Sequence, residues 1–419
     1  MKKQKGKRMK TLEFNERIGR VMDALSLQEG DRVPFIPSMN NFYALHYGVS
    51  IQDAMNDCRN LTQAMQKYVN DYNPDMVYSP GVFFPIPPME TAGYTNAKWP
   101  GSYWDLPENT PYQYVDSSYM DEDDYETYLK DPSAFLLHRV LPGKYKNLPG
   151  LSMLNLPGLC GQSIYSLAAF GLPSVQKTLQ TMIKVGQQVS EALQHGAELS
   201  FALVNEGYPV YGDAVACCPF DDFADNVRGL LDTCMDLVTD PEPLNEVLTR
   251  WGYVSIPAAV ETARMTHQQF VFIPLHCGTD NFMSPDNYNK YYWPHLKRLL
   301  LALIKAGLTP FVFCEGHYDT RLETIRDIPK GKVIYSFESV DMKNAKRILG
   351  DTACIAGGFP TSLLMEGHKP EDVENKVKEM MDICAPGGGF IMSNSVALDY
   401  VEPALMHAWR NATEKYGTF

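Results

Sequence analysis

The chain has 419 residues, of which 45% are hydrophobic and 21% charged, and its formal net charge is −13. That length buries a large core without disulfide staples, and the acidic balance excludes the basic stripe of a nucleic-acid surface. The nine cysteines show no framework spacing, with Cys217 and Cys218 adjacent and the rest scattered, which predicts free thiols in a reducing cytoplasm.

The start, "MKKQKGKRMK", is basic, but no apolar stretch follows it. No signal peptide is expected, and no run is long enough to span a bilayer. Thr11 to Gln28 has helical periodicity, so residues 1–30 read as a tail and a helix. "DRVPFIPSMNN" and "NPDMVYSPGVFFPIPP" (73–88) follow as strands, the second opening into a proline-rich loop. An irregular insertion around 80–160 carries the aromatic run "YTNAKWPGSYW" and the acidic run "DEDDYE". Insertions of this length are commonly functional.

From Ser174 the pattern regularises. Ser174 to Gln194 reads as a helix, and "AELSFALVNEGYP" as a strand ending at Glu206. Phe223 to Thr239 and Pro241 to Thr266 read as helices, and "QFVFIPLHCGTD" as a strand. Pro285 to Ala306 reads as a helix with Ser284 as N-cap. "TPFVFCEGH", "KVIYSFES", "TACIAGGFP" and "GGFIMSNS" are four further strands. Short apolar strands alternating with helices mean βαβ units and a parallel sheet. Seven or eight such units, without a phosphate-binding glycine motif, predict one closed (β/α)8 TIM barrel over residues 31–419. Barrel chemistry sits at the C-terminal strand ends. There the sequence places Glu206, His276 and Cys277, then Cys314, Glu315 and His317, then Glu338 and Ser393 to Ser395. Adjacent strand residues face opposite ways, so His276 and Cys277 are not expected to share one metal.

Four stretches carry a family resemblance: "VRGLLDTCMDLVTDPEPLNEVL" (227–248), "MSPDNYNKYYWPHLKRL" (283–299), "AKRILGDTACIAGGFP" (345–360) and "GGGFIMSNS" (387–395). With them the chain resembles the uroporphyrinogen decarboxylase superfamily from about Arg32 to its end. The resemblance implies the (β/α)8 barrel of that type, with N-terminal helical and loop extensions. The family's decarboxylases hold their substrate with an arginine-bearing stretch near the first strand. Here that place reads "FIPSMNNFYALHYG", without arginine, and a polycarboxylate would be poorly held.

The other branch comprises corrinoid-dependent methyltransferases that use zinc. Its thiol-methylating members carry His-x-Cys and a later Cys, whereas this chain has Val312 and Cys314, with Ser395 in the last place. Its ether-cleaving members, from acetogenic anaerobes, carry Asp-x27-Cys-x39-Cys, and Asp286, Cys314 and Cys354 stand at that spacing. The resemblance implies zinc on those three residues, and His276, Glu315 and His317 form a rival ligand set. It also implies an O-demethylase methyltransferase moving a methyl group from an aromatic methyl ether to cob(I)alamin on a partner corrinoid protein. Zinc offsets charge on the departing oxygen, and Glu315 or His317 supplies a proton or orients it. His276 and Glu206 are further catalytic candidates. The chain shows no cobalamin-binding motif of its own, so the corrinoid protein is expected to dock over the barrel mouth. The alternatives are another methyl donor, a methylcorrinoid:thiol methyltransferase, a decarboxylase, and a non-catalytic binding barrel. A homodimer is compatible with all of them.

Overall fold

Short β-branched and aromatic runs place eight parallel staves in a ring. The computed structural model describes residues 2–79, 81, 84–161 and 163–419, with the side chains of 2–9 excepted. The strands in chain order are β1 (Val77–Tyr78), β2 (Ala97–Lys98), β3 (Gln113–Tyr114), β4 (Val210–Tyr211), β5 (Phe270–Leu275), β6 (Thr309–His317), β7 (Ile334–Ser339), β8 (Cys354–Gly357) and β9 (Phe390–Ile391). β5 to β9 form one parallel sheet in sequence order, and β1 pairs in parallel with β4. Val215 bridges to Phe272 and Phe35 to Met392, both in parallel. The Asp75 N–H donates to Phe35 O at 2.8 Å. The segment around Phe35 is therefore the eighth stave, and the ring closes as a (β/α)8 barrel. β2 and β3 are a small antiparallel pair within the insertion.

The longer helices are α1 (Lys2–Leu25), α2 (Pro173–Asn205), α3 (Leu230–Thr239), α4 (Pro241–Met265), α5 (Trp293–Lys305), α6 (Met342–Leu349), α7 (Pro370–Cys384) and α8 (Pro403–Tyr416). The barrel interior is filled at its base by Ile36, Met76, Phe270, Phe311, Ile334 and Ile391, and Val21, Ala24 and Leu25 of α1 close it from below. The alternate strand residues, among them Val271, Ile273, Val312, Cys314, Tyr335 and Phe337, pack with the helices outside.

One expected strand is a helix. "AELSFALVN" continues α2 to Asn205 because Gly196, Leu199 and Leu203 bury at helical spacing. Gly207, at φ +91°, turns the chain, and the strand is β4. Glu206 therefore caps the C-terminal end of α2 and pairs with Lys10 of α1. That is the base of the barrel, where helix-to-strand turns lie, so Glu206 is not part of a mouth site.

Asp75 ties the base together. Its carboxylate is 1% exposed and pairs with Arg20 of α1. It also accepts from Arg32 at 2.7 and 2.8 Å and from the Phe35 N–H at 2.7 Å. Removing one member of a buried ion group leaves the others uncompensated. Asp75→Ala is expected to lose roughly 3 kcal/mol in urea unfolding; a loss under about 1 kcal/mol would mean that the arginines find other partners.

Candidate active site

The site is built where β5 stops. The chain turns after Leu275, and Asp221 Oδ1 accepts the N–H groups of both His276 and Cys277, at 3.0 and 2.9 Å. Asp221 lies in the first turn of the short helix Pro219–Phe223, where a carboxylate is favoured by the exposed N–H groups. Its Oδ2 accepts the Tyr292 hydroxyl at 2.5 Å. Tyr292 ends the π-turn Tyr288–Tyr292, a helix irregularity frequent at functional sites. Gly278 is needed for the turn, since a Cβ there would stand 2.7 Å from the Tyr292 ring.

Because the strand has ended, alternation no longer separates His276 from Cys277. A carboxylate oxygen of Asp221, an imidazole nitrogen of His276 and the Cys277 sulfur all lie within 4.8 Å of one another. Among the described residues, no other group of three such side chains is gathered this closely. Thiolate, imidazole and carboxylate are the donors zinc takes. Asp221 Oδ2 accepts one hydrogen bond and keeps a lone pair, so the residues fit that metal.

The surroundings are acidic. His276 Nε2 faces Asp225 Oδ1 at 2.9 Å, and its Nδ1 lies 3.4 Å from Asp221. Burial lowers the imidazole's affinity for a proton, but Asp221, Asp225 and Glu315 outweigh it and push the pKa up to about 10. Burial pushes Glu315 up to about 7; the His276 charge opposes this, and Asp221, Glu338 and Asp225 add to it. Glu338 accepts the Gly316 N–H at 2.7 Å. Burial holds the Cys277 thiol well above its ordinary value, reinforced by Asp221 and Asp225. From the insertion, Lys144 lies among Asp222 and Asp225, its pKa lowered by burial against their pull, and the Tyr114 hydroxyl donates to Asp225 O at 3.2 Å.

A family model described as uroporphyrinogen decarboxylase (URO-D) matches residues 176–407, more than half of the chain. The chain belongs to the uroporphyrinogen decarboxylase family. Among solved structures, a methyltransferase from Methanosarcina mazei is similar over 95% of this chain and 98% of its own, at 11% identity and TM-score 0.62. That likeness is one of fold. A B12-independent methionine synthase from Shewanella sp. W3-18-1 covers 53% of this chain and 64% of its own, at 9% identity and TM-score 0.36, too low to carry an argument. A search among curated proteins returns no match.

Within the family's barrel, the expected zinc set Asp286, Cys314 and Cys354 is not brought together. Cys354 starts β8, in register with Ile334, and packs in the lower interior with Phe311 and Ile391. Cys314 is in register with Phe337, which pairs with Gly357. It therefore stands three residues higher, about 10 Å along the strand, and faces the helices outside. Burial, with Glu315 adding to it, holds the Cys314 thiol well above its ordinary value. Asp286 is exposed at the helix start after Ser284. Of the rival set, His276 and Glu315 share the mouth. His317 is on the rim, its Nδ1 2.9 Å from Ser339 Oγ and its carbonyl accepting from Asp280 N–H at 2.8 Å.

The aromatic walls also differ from expectation. Trp99 is buried and stacks on Tyr103, so "YTNAKWPGSYW" packs on itself. Pro80, Val82 and Phe83 of the proline-rich stretch lie outside the described residues. The wall is Tyr78, Phe272 and Phe313, with ring centroids 5.3 and 6.4 Å apart, and Tyr112, whose hydroxyl is influenced by Glu315. Glu338 stands at a strand end as expected, whereas Asp221 and Asp225 carry no motif that sequence spacing reveals.

Glu315 makes the metal-free site titrate. Its value of about 7 lies above the ordinary 4.5, so the cost of ionising it is absent below pH 4.5 and complete above pH 7. Glu315→Gln is expected to stabilise metal-free protein at pH 8 by roughly 1–3 kcal/mol and to change little at pH 4. Thermal unfolding at both values checks this, and equal effects at both would contradict it.

Proposed function

We propose that the chain is a methyltransferase of a corrinoid-dependent demethylation system, taking a methyl group from an aromatic methyl ether. The acceptor is cob(I)alamin on a partner corrinoid protein, a second substrate rather than a group resident in this chain. The observation that carries the reading is the convergence of Asp221, His276 and Cys277 at the barrel mouth, with the buried Glu315 carboxyl group on the next strand.

Asp221, His276 and Cys277 would hold zinc. When bound, zinc supplies a Lewis acid that offsets the negative charge developing on the ether oxygen. His276 must give up its proton to serve as a ligand, so zinc affinity should rise with pH. Glu315 has the burial and position to protonate the departing oxygen, which keeps the electron pair of the broken carbon–oxygen bond. Phe272 and Phe313, near-parallel with centroids 6.4 Å apart, and Tyr78, edge-on to Phe272, offer apolar surface against which an aromatic ring would pack. The corrinoid would approach from the mouth, in line with the bond from the methyl carbon to the departing oxygen.

The acidity disfavours the decarboxylase alternative. Asp221, Asp222, Asp225, Glu315 and Glu338 surround the site, and a polycarboxylate substrate would meet like charge. Arg321 offers no clamp, because its guanidinium is 1% exposed and donates to the carbonyls of Gly278, Thr279 and Met283.

Elemental analysis should find about one zinc per chain. His276→Ala and Cys277→Ser should lose it, along with formation of methylcob(III)alamin from an aryl methyl ether, whereas Cys314→Ser and Cys354→Ser should keep both. Zinc-free native protein, or full zinc in Cys277→Ser, would remove the proposal.

A further inference from the structure

The insertion grips the turn that carries Asp225. That turn, Ala224–Arg228, is a π-turn continuing the helix Pro219–Phe223. Its bond from Gly229 N–H to Ala224 O, at 2.9 Å, spans five residues. The next bond of such a turn would run from Leu230 N–H to Asp225 O. Gly229, at φ +82°, bends the chain away, and both groups turn to the insertion instead. Leu230 N–H donates to Asp116 Oδ1 at 2.9 Å. Asp225 O accepts from the Tyr114 hydroxyl at 3.2 Å and from Asn96 Nδ2 at 3.4 Å.

The small antiparallel pair supplies those two donors. Asn96 directly precedes β2, Tyr114 ends β3, and Ala97 pairs with Tyr114. The Val115 N–H donates to Asn96 O at 2.8 Å, which keeps the two side chains on one carbonyl. Further contacts follow along the turn. The Tyr119 N–H donates to Val227 O at 2.9 Å, Arg228 Nη1 to Met120 O at 2.7 Å, and Lys144 Nζ to Asn226 Oδ1.

The carboxylate so placed meets the mouth. Asp225 Oδ1 lies 2.9 Å from His276 Nε2. A carboxylate only accepts, so Nε2 carries the proton. Nδ1, 3.4 Å from Asp221, is then the nitrogen free to bind a metal. Asp222 is committed elsewhere, because its oxygens accept Trp251 Nε1 at 2.6 Å and Asn226 Nδ2 at 2.9 Å.

We infer that Asp225 is a positioning residue for the metal site. It fixes the His276 ring with Nε2–H on its own carboxylate and Nδ1 towards Asp221, and Asn96 and Tyr114 of the insertion hold it there. Carboxylates that take the second N–H of a ligating histidine set the ring's tautomer and its affinity for metal. The consequence for zinc rests on the zinc reading above; the orientation of the ring does not.

Zinc affinity, measured by competition with a chelating dye, is expected to fall roughly 10–100-fold in Asp225→Asn. Tyr114→Phe removes only a donor to the Asp225 carbonyl and is expected to lose roughly 2–10-fold. Nitrogen-15 NMR of the zinc-loaded wild type is expected to show His276 bound through Nδ1 with a proton on Nε2. Unchanged affinity in Asp225→Asn, or binding through Nε2, overturns the inference. In metal-free wild type, the His276 Nε2 proton is expected to exchange slowly with solvent, and Asp225→Asn is expected to lose that protection. If native protein takes up no zinc, the zinc reading fails, and this proton alone decides: its protection by Asp225 supports the inference, and equal exchange in both proteins overturns it. Should Asp225→Asn fail to fold, Tyr114→Phe decides by the same readouts, and wild-type affinity with wild-type exchange overturns the inference.

Discussion

Side-chain alternation along eight parallel staves is the constraint on which the rest of the molecule depends. In a closed barrel every second residue faces the axis. Phe270 and Phe272 therefore lead towards His276, Phe311 and Phe313 lead to Glu315, and Ile334 and Ser336 lead to Glu338. The intervening residues, Cys314 among them, are committed to the layer between strands and helices. A functional group at the mouth must be in phase with the axis or lie beyond the last paired residue. His276 meets the first condition and Cys277 the second.

Asp221 converts that geometry into a site. One carboxylate holds the two N–H groups after Leu275 and the hydroxyl of Tyr292. The turn is thereby fixed to a helix start on one side and to a π-turn on the other. Asp225, Glu315 and Glu338 crowd around it, raising the proton affinities of His276 and Glu315 in a partly buried setting. Acidic crowding of this kind is unfavourable for stability and favourable for holding a cation or passing a proton, which is why perturbed groups mark functional sites. The base shows the contrary arrangement, with Asp75 enclosed by Arg20, Arg32 and a backbone N–H.

The barrel was legible in the sequence because short apolar runs occur at β5, β6, β7 and β8, the first three ending in polar residues, and each occupies its expected stretch. The first stave was legible only as an apolar run, and its pairing comes down to parallel bridges at Phe35 and Met39. α2 was misdivided because "AELSFALVN" satisfies both periods over so short a window, and only burial of Leu199 and Leu203 decides for helix. Within the site, His276 and Glu315 were visible as polar residues at strand ends. Cys314 stood out for the same reason, but its phase places it outside the barrel, which spacing to Asp286 and Cys354 does not reveal. Asp221 lies on a short helix and Asp225 on the π-turn that continues it, both far from His276 in sequence, and only the fold brings them together.

We propose that zinc sits at the mouth of this member of the uroporphyrinogen decarboxylase family, on Asp221, His276 and Cys277. Zinc-edge X-ray absorption of the native protein tests it most directly, since sulfur and lighter ligands differ in both distance and scattering. One sulfur is expected at about 2.3 Å, with nitrogen and oxygen completing the shell near 2.0–2.2 Å. A shell containing two sulfurs, as Cys314 and Cys354 together would give, contradicts it.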